Sequence, residues 1–188
     1  MNILFLGDEE NHIIDFLKKE NDVVVWDTKV NSEFISQFDY IISYGYTHII
    51  KKDIIDASKN GIINLHISYL PWNRGSSPNL WSFIDKTRKG VTIHYIDEGI
   101  DTGDIIVQKE LYFNEDNETL ETSYTKLQKE IEVLFKNSWA DIVNKNFKIK
   151  KQIEGEGTIH YDKDTYKIID SIGSSVWKLP INELRKVL

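Results

Sequence analysis

Short apolar runs alternate with helical patterns along the first third of the chain. Apolar runs at residues 3–6 and 23–26 are typical of buried strands, and residues 39–43 predict a third strand. Apolar positions at helical spacing in residues 13–17, 34–38 and 51–59 predict the intervening helices. Strands and helices that alternate in this way predict an α/β fold with a mostly parallel central sheet flanked by helices.

After residue 76 the sequence predicts a helix, two more strands and then one long helix. Ser77 and Pro78 are a typical helix N-cap and first helical residue, and strands are expected over residues 91–96 and 105–113. A helix over residues 117–145 carries an apolar stripe of Leu120, Tyr124, Leu127, Ile131, Leu134 and Ile142. Residues 151–188 contain neither a repeat nor a linker, so we expect a short C-terminal extension packed on a domain of residues 1–150.

The composition indicates one acidic domain. The chain has 188 residues and a formal net charge of -7, which gives no long-range attraction to nucleic acid or anionic lipid. It has no cysteine, so histidine and carboxylate must carry any chemistry. The amino terminus lacks a basic segment before its apolar run, and no later stretch is long enough to span a bilayer. We therefore expect a cytoplasmic protein without a nucleic-acid or membrane partner.

The turn after the first strand argues against a dinucleotide site. It reads Gly7-Asp8-Glu9-Glu10-Asn11, with one glycine and several acidic side chains. A dinucleotide fingerprint needs several glycines there, and the backbone must have room for a pyrophosphate. The sequence therefore excludes NAD binding at this turn.

Candidate chemistry begins on the strand that starts at residue 62. Asn64, His66 and Ser68 stand at alternate positions, so they share one face of the strand. They lie toward its carboxyl end, where open α/β sheets place their ligands. An amide can donate to a developing oxyanion and an imidazole can transfer a proton. A buried histidine is nevertheless more often structural than catalytic, and that alternative stays open here.

A second polar cluster follows the next strand and supplies carboxylates. It comprises His94, Asp97, Glu98 and Asp101. Asp101 could orient an imidazole or accept a proton, although aspartate in such a sequence also stabilises turns through its own backbone. His66, His94 and Asp101 could instead form a metal site with two histidines and one carboxylate, but their wide spacing specifies no geometry.

Trp72 and Arg74, which follow the strand that starts at residue 62, could contact a substrate. Arg74, next to Gly75, could hold an anionic group or be a solvated surface arginine. Trp72 could be a stacking platform or an aromatic residue at the rim of a site. The residues alone do not decide between these readings.

Two long motifs resemble those of the formyltransferase superfamily. They are Asn-Leu-His-Ile-Ser-Tyr-Leu-Pro from Asn64, followed by Arg74-Gly75, and Gly-Val-Thr-Ile-His-Tyr-Ile-Asp-Glu-Gly-Ile-Asp-Thr-Gly-Asp from Gly90. The resemblance implies a Rossmann-like catalytic domain over residues 1–150 and a transferase that takes formyl from N10-formyltetrahydrofolate. It matches Asn64, His66 and Asp101 to the catalytic residues of the family. Asn64 and a protonated His66 would then stabilise the oxyanion, while Asp101 would move a proton through water.

The resemblance also implies where the two substrates bind. The cofactor pocket would be formed by two loops that contain Tyr46, Thr47, His48, Ile49, Ile50, Ile96, Asp97, Glu98 and Gly99. His94 would support the catalytic residues without acting on substrate. Ser68, Trp72, Arg74 and Gly75 would lie on the side of the acceptor substrate.

The choice of acceptor follows from more local similarities. The sequence segments around Tyr46, Trp72 and Thr158 resemble those of sugar N-formyltransferases, which modify the amino sugars of surface glycans. The chain shows neither the tRNA-binding domain nor the basic face of methionyl-tRNA formyltransferases. We expect a nucleotide-linked amino sugar as acceptor, with phosphoribosylglycinamide as the alternative and a non-catalytic folate or nucleotide-sugar binding module as another. A homodimer is compatible with the sequence, which does not fix the assembly.

Overall fold

Eight strands and seven α-helices form the chain in the computed structural model, which describes residues 1–187 and, among these, every side chain except those of Ser174, Arg185 and Val187. The strands are β1 Asn2–Gly7, β2 Asp22–Trp26, β3 Tyr40–Tyr44, β4 Ile62–His66, β5 Arg74–Gly75, β6 Lys89–Tyr95, β7 Ile105–Leu111 and β8 Ile159–His160. The helices are α1 His12–Leu17, α2 Ser32–Ile35, α3 Lys52–Asp56, α4 Pro78–Ile84, α5 Leu120–Val143, α6 Asp162–Ile172 and α7 Ile181–Val187, with a 3-10 turn at Ser174–Trp177.

Six strands form one mixed sheet in the order β2-β1-β3-β4-β6-β7. The pairs from β2 to β4 are parallel, while β6 runs antiparallel to both β4 and β7. The predicted mostly parallel sheet with flanking helices is therefore confirmed. The expectation of a buried strand at residues 23–26 is wrong, because β2 lies at the edge of the sheet, where Val24 and Trp26 remain exposed.

Helices cover both faces of this sheet. The larger cluster packs α1 and α5 against one face and includes Ile3, Phe5, Ile13, Leu17, Ile42, Leu65, Ile131 and Phe135. The smaller one packs α2 and α3 against the other face and includes Leu4, Leu6, Ile35, Ile41, Ile54 and Ile62. Consecutive strand residues therefore enter different clusters, as the alternation of side chains along a strand requires.

Helix α5 is slightly shorter than predicted and buries a shifted stripe. It begins after a reciprocal cap between Thr119 and Thr122. Four of the six predicted stripe residues are buried, and Phe135 and Trp139, which the prediction omitted, join them. Tyr124 is 43% exposed because it faces a cavity near the start of the helix.

The C-terminal segment contacts the rest of the chain through a strand pair, an apolar cluster and several side-chain hydrogen bonds. Strand β8 pairs in parallel with β5, next to the polar cluster of the central strand. A third apolar cluster joins the end of the chain to α4 and α5 and includes Leu80, Phe83, Leu120, Val176, Ile181 and Leu184. The division into residues 1–150 and 151–188 stays a prediction.

The start of α4 differs in detail from the prediction. Pro78 is its first residue, as expected. Ser77 occupies the N-cap position, but its backbone has φ +50° and its side chain makes no capping hydrogen bond. The predicted side-chain cap is wrong, because this left-handed backbone differs from the extended one that serine adopts when it caps a helix.

Candidate active site

Strand β4 presents Asn64 and His66 on one face near its carboxyl end. In the register of the sheet Asn64 lies opposite His94 of β6. The amide nitrogen of Asn64 lies 3.2 Å from His94 Nε2. An amide and two imidazoles therefore meet where β4 and β6 pair, as the alternate spacing of Asn64 and His66 predicted.

Asp101 reaches the same place from the loop between β6 and β7. Its Oδ2 accepts the backbone N–H of Gly75 at 2.8 Å, and its Oδ1 accepts from Asn64 Nδ2 at 3.3 Å. The same two oxygens lie 3.6 Å from His66 Nδ1 and 3.5 Å from His94 Nε2. The structure thus brings together Asn64, His66 and Asp101, the three residues predicted to be catalytic; their roles stay predictions.

A backbone carbonyl fixes the chemical role of each His66 nitrogen. His66 Nε2 lies 3.1 Å from the carbonyl oxygen of Asn73, which can only accept a hydrogen bond. Nε2 must therefore carry a proton, and in the neutral ring Nδ1 is left with the lone pair. This free nitrogen is the one that faces Asp101, so a proton arriving at Nδ1 would be shared with a carboxylate.

His94 is oriented in the same manner through its other nitrogen. His94 Nδ1 donates to the carbonyl oxygen of Tyr95 at 2.7 Å. Its Nε2 can then accept from Asn64, and the ring is almost fully buried. This arrangement supports the prediction that His94 holds the catalytic side chains in place without contacting substrate.

Burial and charge set the ionisation of the cluster. Burial lowers the pKa of His66, an effect that Asp101 partly opposes and that His94 reinforces. Burial alone would raise the pKa of Asp101, but the facing His66 and His94 and the N–H of Gly75 hold that pKa well below its ordinary range. The free protein therefore favours a neutral His66 beside an ionised Asp101. The part of a protonated His66 in stabilising the oxyanion stays a prediction.

The predicted acceptor-side residues have structural contacts of their own. Ser68 is buried and donates its hydroxyl to the carbonyl of Trp72 at 2.8 Å, which closes the turn after β4. Gly75 has φ +84°, and a side chain there would collide with the carbonyl of His160. Trp72 and Arg74 are partly exposed. The acceptor contacts assigned to these residues stay predictions.

The two loops predicted to hold folate lie side by side. An ion pair of 3.1 Å joins Lys52, just after the first loop, to Glu98 in the second. Tyr46 donates its hydroxyl to the carbonyl of Thr28 at 2.7 Å, which anchors the first loop. Ile49 is 89% exposed between these anchors. The pair of loops thus presents apolar surface beside ordered polar backbone.

The second folate loop is stabilised by its own aspartate. Asp97 accepts from the N–H of Gly99 at 3.1 Å and from the Thr102 hydroxyl at 2.6 Å. These bonds shape the turn that leads to Asp101. Asp97 therefore acts first as a turn former, and the predicted contacts of Ile50, Ile96 and the other loop residues with folate stay predictions. In the first loop the His48 ring packs edge-on against that of Tyr46.

Asp101 lies between His66 and His94. The sequence had not excluded a metal site formed by these three residues. Within residues 1–187 no three histidine, cysteine, aspartate or glutamate side chains are placed to hold a metal ion.

No helix among the same residues is both long and apolar enough to cross a membrane.

Described residues line two cavities, and neither lining includes Asn64, His66 or Asp101. A polar cavity of about 580 Å³ is lined by Gly7, Asp8, Glu9, Glu10, Val25, Trp26, Asp27, Gly45, Tyr46 and Thr47. A more apolar cavity of about 670 Å³ is lined by Ile67, Ser77, Pro78, Asn79, Leu80, Leu120, Glu121, Tyr124, Trp177 and Lys178. The lining of the second includes Ile67, next to His66 in sequence, and Ser77, two residues after Gly75.

Sequence reasoning missed two residues that organise the cluster. Asn73 is fully buried and its carbonyl fixes His66, although its side chain gave no sign of this role. Thr158 holds Asn73 in turn, because its hydroxyl accepts the Asn73 N–H at 2.9 Å. The available signal was that Asn73 lies between the two parts of the first motif, and that Thr158 lies in a segment that resembles sugar N-formyltransferases.

The fold and this cluster define a known class of protein. Residues 27–137 match the family described as Formyl transferase, which is more than half of the chain. The chain therefore belongs to the formyl transferase family, and the resemblance seen in the sequence is confirmed.

Particular relatives extend the comparison over different lengths. The formyltransferase PseJ from Anoxybacillus kamchatkensis, crystallised with UDP-4,6-dideoxy-4-formamido-L-AltNAc and tetrahydrofolate, is 43% identical, with a TM-score of 0.91 and full coverage of both chains. A 4-N formyltransferase from Francisella tularensis is 28% identical, with a TM-score of 0.79, over 98% of this chain and 86% of that one.

A curated relative matches over a shorter region. The methionyl-tRNA formyltransferase of Thermodesulfovibrio yellowstonii is 44% identical over 92 residues. This match covers 48% of the chain and only 29% of that relative. The chain thus spans less than a third of the length of this curated relative.

Proposed function

We propose that the protein transfers a formyl group from N10-formyltetrahydrofolate to the amino group of a nucleotide-linked amino sugar. The observation that carries this proposal is the convergence of Asn64, His66 and Asp101 where β4 and β6 pair. Full-length similarity to PseJ, crystallised with a UDP-linked formamido sugar and tetrahydrofolate, supports the choice of both substrates. A formamido sugar is what formylation of the corresponding amino sugar produces.

The cluster can supply the chemistry that formyl transfer to an amine requires. N10-formyltetrahydrofolate would supply the formyl group. Asn64 would donate an N–H to the oxyanion that develops as the amine attacks, and this stabilisation is often the largest single effect in acyl transfer. His66 Nδ1 and Asp101, 3.6 Å apart, would take up the proton that the amine loses. As the tetrahedral intermediate collapses, the bond between the formyl carbon and N10 would break, and tetrahydrofolate would leave with that proton on N10.

The loops of the predicted folate pocket fit the donor. A pterin has flat apolar faces and a polar edge, and Ile49 offers an exposed apolar side chain beside ordered backbone. The Lys52–Glu98 pair keeps the two loops together across the expected pocket. Folate binding at residues 46–50 and 96–99 is therefore part of the proposal.

The apolar cavity beside Ile67 suits the acceptor. Its lining includes Ile67, next to His66 in sequence, and Ser77, two residues after Gly75, and we propose that the sugar amine reaches the cluster from this cavity. Trp177 and Tyr124 offer aromatic rings to a nucleobase, and Lys178 offers a positive charge to a diphosphate. The predicted acceptor residues Ser68, Trp72, Arg74 and Gly75 lie on the chain segment that links Ile67 to Ser77.

The proposal has a direct test of substrate choice. UDP-4-amino-4,6-dideoxy-L-AltNAc, phosphoribosylglycinamide and methionyl-tRNA would each be incubated with N10-formyltetrahydrofolate, and formylated product measured by mass spectrometry. We expect turnover of the amino sugar only. Formylation of phosphoribosylglycinamide would favour the purine alternative, and tight folate binding without any product would favour a binding module.

We expect the Trp177→Ala substitution to raise the KM for the nucleotide sugar about fivefold, since one stacked ring is worth roughly 1 kcal/mol. The KM for N10-formyltetrahydrofolate should stay unchanged because folate is assigned to the loops at residues 46–50 and 96–99, none of which lines this cavity. Steady-state kinetics with each substrate varied in turn measure both values. Trp177→Phe, which keeps a ring, is the matched control. Equal effects on both KM values would contradict the assignment of the cavity.

A pH dependence follows from the lowered pKa of His66. Because the free protein must hold His66 neutral to take a proton, activity should be lost on acidification, as His66 becomes protonated below its ordinary pKa of about 6.5. NMR titration of the His66 ring, assigned with His66→Gln, should show a midpoint below 6.5 that coincides with the acid limb of kcat/KM. In Asp101→Asn the midpoint should fall further, because the carboxylate that favours protonation is gone. A midpoint above 6.5 would contradict this account.

The remaining expectations concern location and assembly. We propose a cytoplasmic protein that acts on small molecules and has no nucleic-acid partner, which the net charge of -7 supports. A homodimer is one assembly compatible with this proposal. Analytical ultracentrifugation of the full chain would decide the assembly.

A further inference from the structure

Gln152 connects two turns that hold the catalytic carboxylate. It lies beyond the region that matches the family, at the start of the C-terminal segment. Its Oε1 accepts from Arg74 Nε at 3.1 Å and from Arg74 Nη2 at 2.8 Å. Its Nε2 donates to the carbonyl oxygens of Asp101 and Gly103, both at 2.8 Å.

This set of contacts uses the full hydrogen-bonding capacity of a primary amide. The oxygen accepts two hydrogen bonds and the nitrogen donates two. The orientation of the amide is also fixed, because a guanidinium can only donate and a carbonyl can only accept. A glutamate would have the same shape but no donors for the two carbonyls. An amide is therefore the side chain that these four contacts require.

The contacts act on the backbone that positions Asp101. Asp101 has φ +51°, a left-handed conformation that non-glycine residues seldom adopt. Gln152 binds the carbonyl of this residue and that of Gly103, so it holds the turn on both sides of the intervening Thr102. The direction of the Asp101 carboxylate depends on this turn.

The other end of the amide acts on the partner of the same carboxylate. Arg74, which Gln152 binds, is directly followed by Gly75, whose N–H donates to Asp101 Oδ2. Gln152 thus holds the backbone of Asp101, which carries the carboxylate. It also holds Arg74, the residue before Gly75, whose N–H binds that carboxylate. Arg74 Nη1 also donates to the carbonyl of Glu156 at 3.2 Å, so the C-terminal segment holds the guanidinium at two points.

We infer that Gln152 is a positioning residue that aligns Asp101 with His66 by clamping the Asp101 turn to the Arg74–Gly75 segment. The inference rests on the proposed function for its effect on turnover. It assigns to the C-terminal segment a part in the reaction that its place outside the family match does not suggest. A displacement of about 1 Å in a catalytic group can cost about 10²-fold in rate.

Gln152→Met tests the inference with a neutral side chain of similar length that cannot make the four hydrogen bonds. We expect kcat to fall about 10²-fold, with the KM for N10-formyltetrahydrofolate changed less than twofold. The NMR midpoint of His66 should also move to lower pH, since a misaligned carboxylate no longer favours the imidazolium. Gln152→Glu keeps the pairing with Arg74 but loses both carbonyl contacts, so it should lower kcat as well.

Thr165→Val is the matched control. It removes the 3.1 Å hydrogen bond from Trp81 Nε1, which also joins the C-terminal segment to the domain, without touching Asp101 or Arg74. This variant should leave kcat and the His66 midpoint unchanged even if thermal stability falls.

The outcomes separate positioning from mere attachment. A Gln152→Met variant that loses stability but keeps the wild-type kcat and His66 midpoint would overturn the inference. A second result would also overturn it: kcat falls in Gln152→Met but stays at the wild-type value in Gln152→Glu. In that case the pairing with Arg74 alone would support turnover, and the two carbonyl contacts would have no part in it. The His66 midpoint needs no turnover, so it tests the clamp even if the wild-type protein transferred no formyl group and the proposed function failed.

Discussion

Asp101→Asn is expected to lower kcat on the order of 10³-fold while the fold persists. The carboxylate accepts from Gly75 and Asn64 and faces both imidazoles, so it is the one group that every other member of the cluster contacts. An asparagine has nearly the same shape, but it is neutral and its NH2 group cannot accept. The variant would lose both the proton acceptor and the charge that stabilises an imidazolium.

Steady-state formyl transfer and thermal denaturation, measured on the same preparation, check this expectation. Asp104→Asn, three residues further along the same loop, is the matched control and should retain the wild-type rate. A wild-type kcat in Asp101→Asn would show that the carboxylate only stabilises its turn, the structural alternative that the sequence left open.

His66→Gln should lower kcat by a similar factor, on the order of 10³-fold, for a different reason. The glutamine amide can still donate to the carbonyl of Asn73, so the local structure would be kept, but it has no nitrogen that binds a proton at neutral pH. His66→Ala should lose the same activity and also stability, because the buried carbonyl of Asn73 would be unpaired at a cost of about 1–3 kcal/mol.

The comparison of the two His66 variants separates chemistry from structure. Rates would be measured at saturating concentrations of both substrates, and unfolding by denaturant would give the stability of each variant. His12→Gln, at an exposed histidine of α1, serves as control. If His66→Gln kept full activity, His66 would be a structural residue that only donates to Asn73.

The parts of the site that the sequence predicted depend on local geometry. Asn64 and His66 share a face because residues two apart in any strand do so. Asp101 was found because its motif resembles that of a family. The sheet itself follows from apolar runs, since a strand that is buried on both faces must be continuously apolar.

The parts that the sequence did not predict depend on distant contacts. The proton position on His66 is set by the carbonyl of Asn73, and no side-chain pattern reports a backbone carbonyl. Gln152 is 51 residues from Asp101 along the chain, and a lone glutamine after a long helix gives no signal of its partners. The lowered pKa of His66 could not be predicted for the same reason, because its burial arises from elements far apart in sequence.

The errors in the fold have a related cause. An apolar run such as that of β2 does not reveal whether its strand lies at the centre or at the edge of a sheet. Tyr124 has the spacing of a core residue, but a cavity beside α5 leaves its ring exposed. Each error concerns what lies next to an element rather than the type of the element.

The central claim is that the cluster moves a formyl group from folate to a sugar amine. Its most direct test is a single-turnover reaction of the protein with N10-[13C]formyltetrahydrofolate and UDP-4-amino-4,6-dideoxy-L-AltNAc, followed by 13C NMR. We predict that the labelled carbon appears as a formamide on the sugar in equal amount to the tetrahydrofolate released, and that His66→Gln shows neither product. Release of labelled formate without formamide, or no change in the folate, would contradict the account.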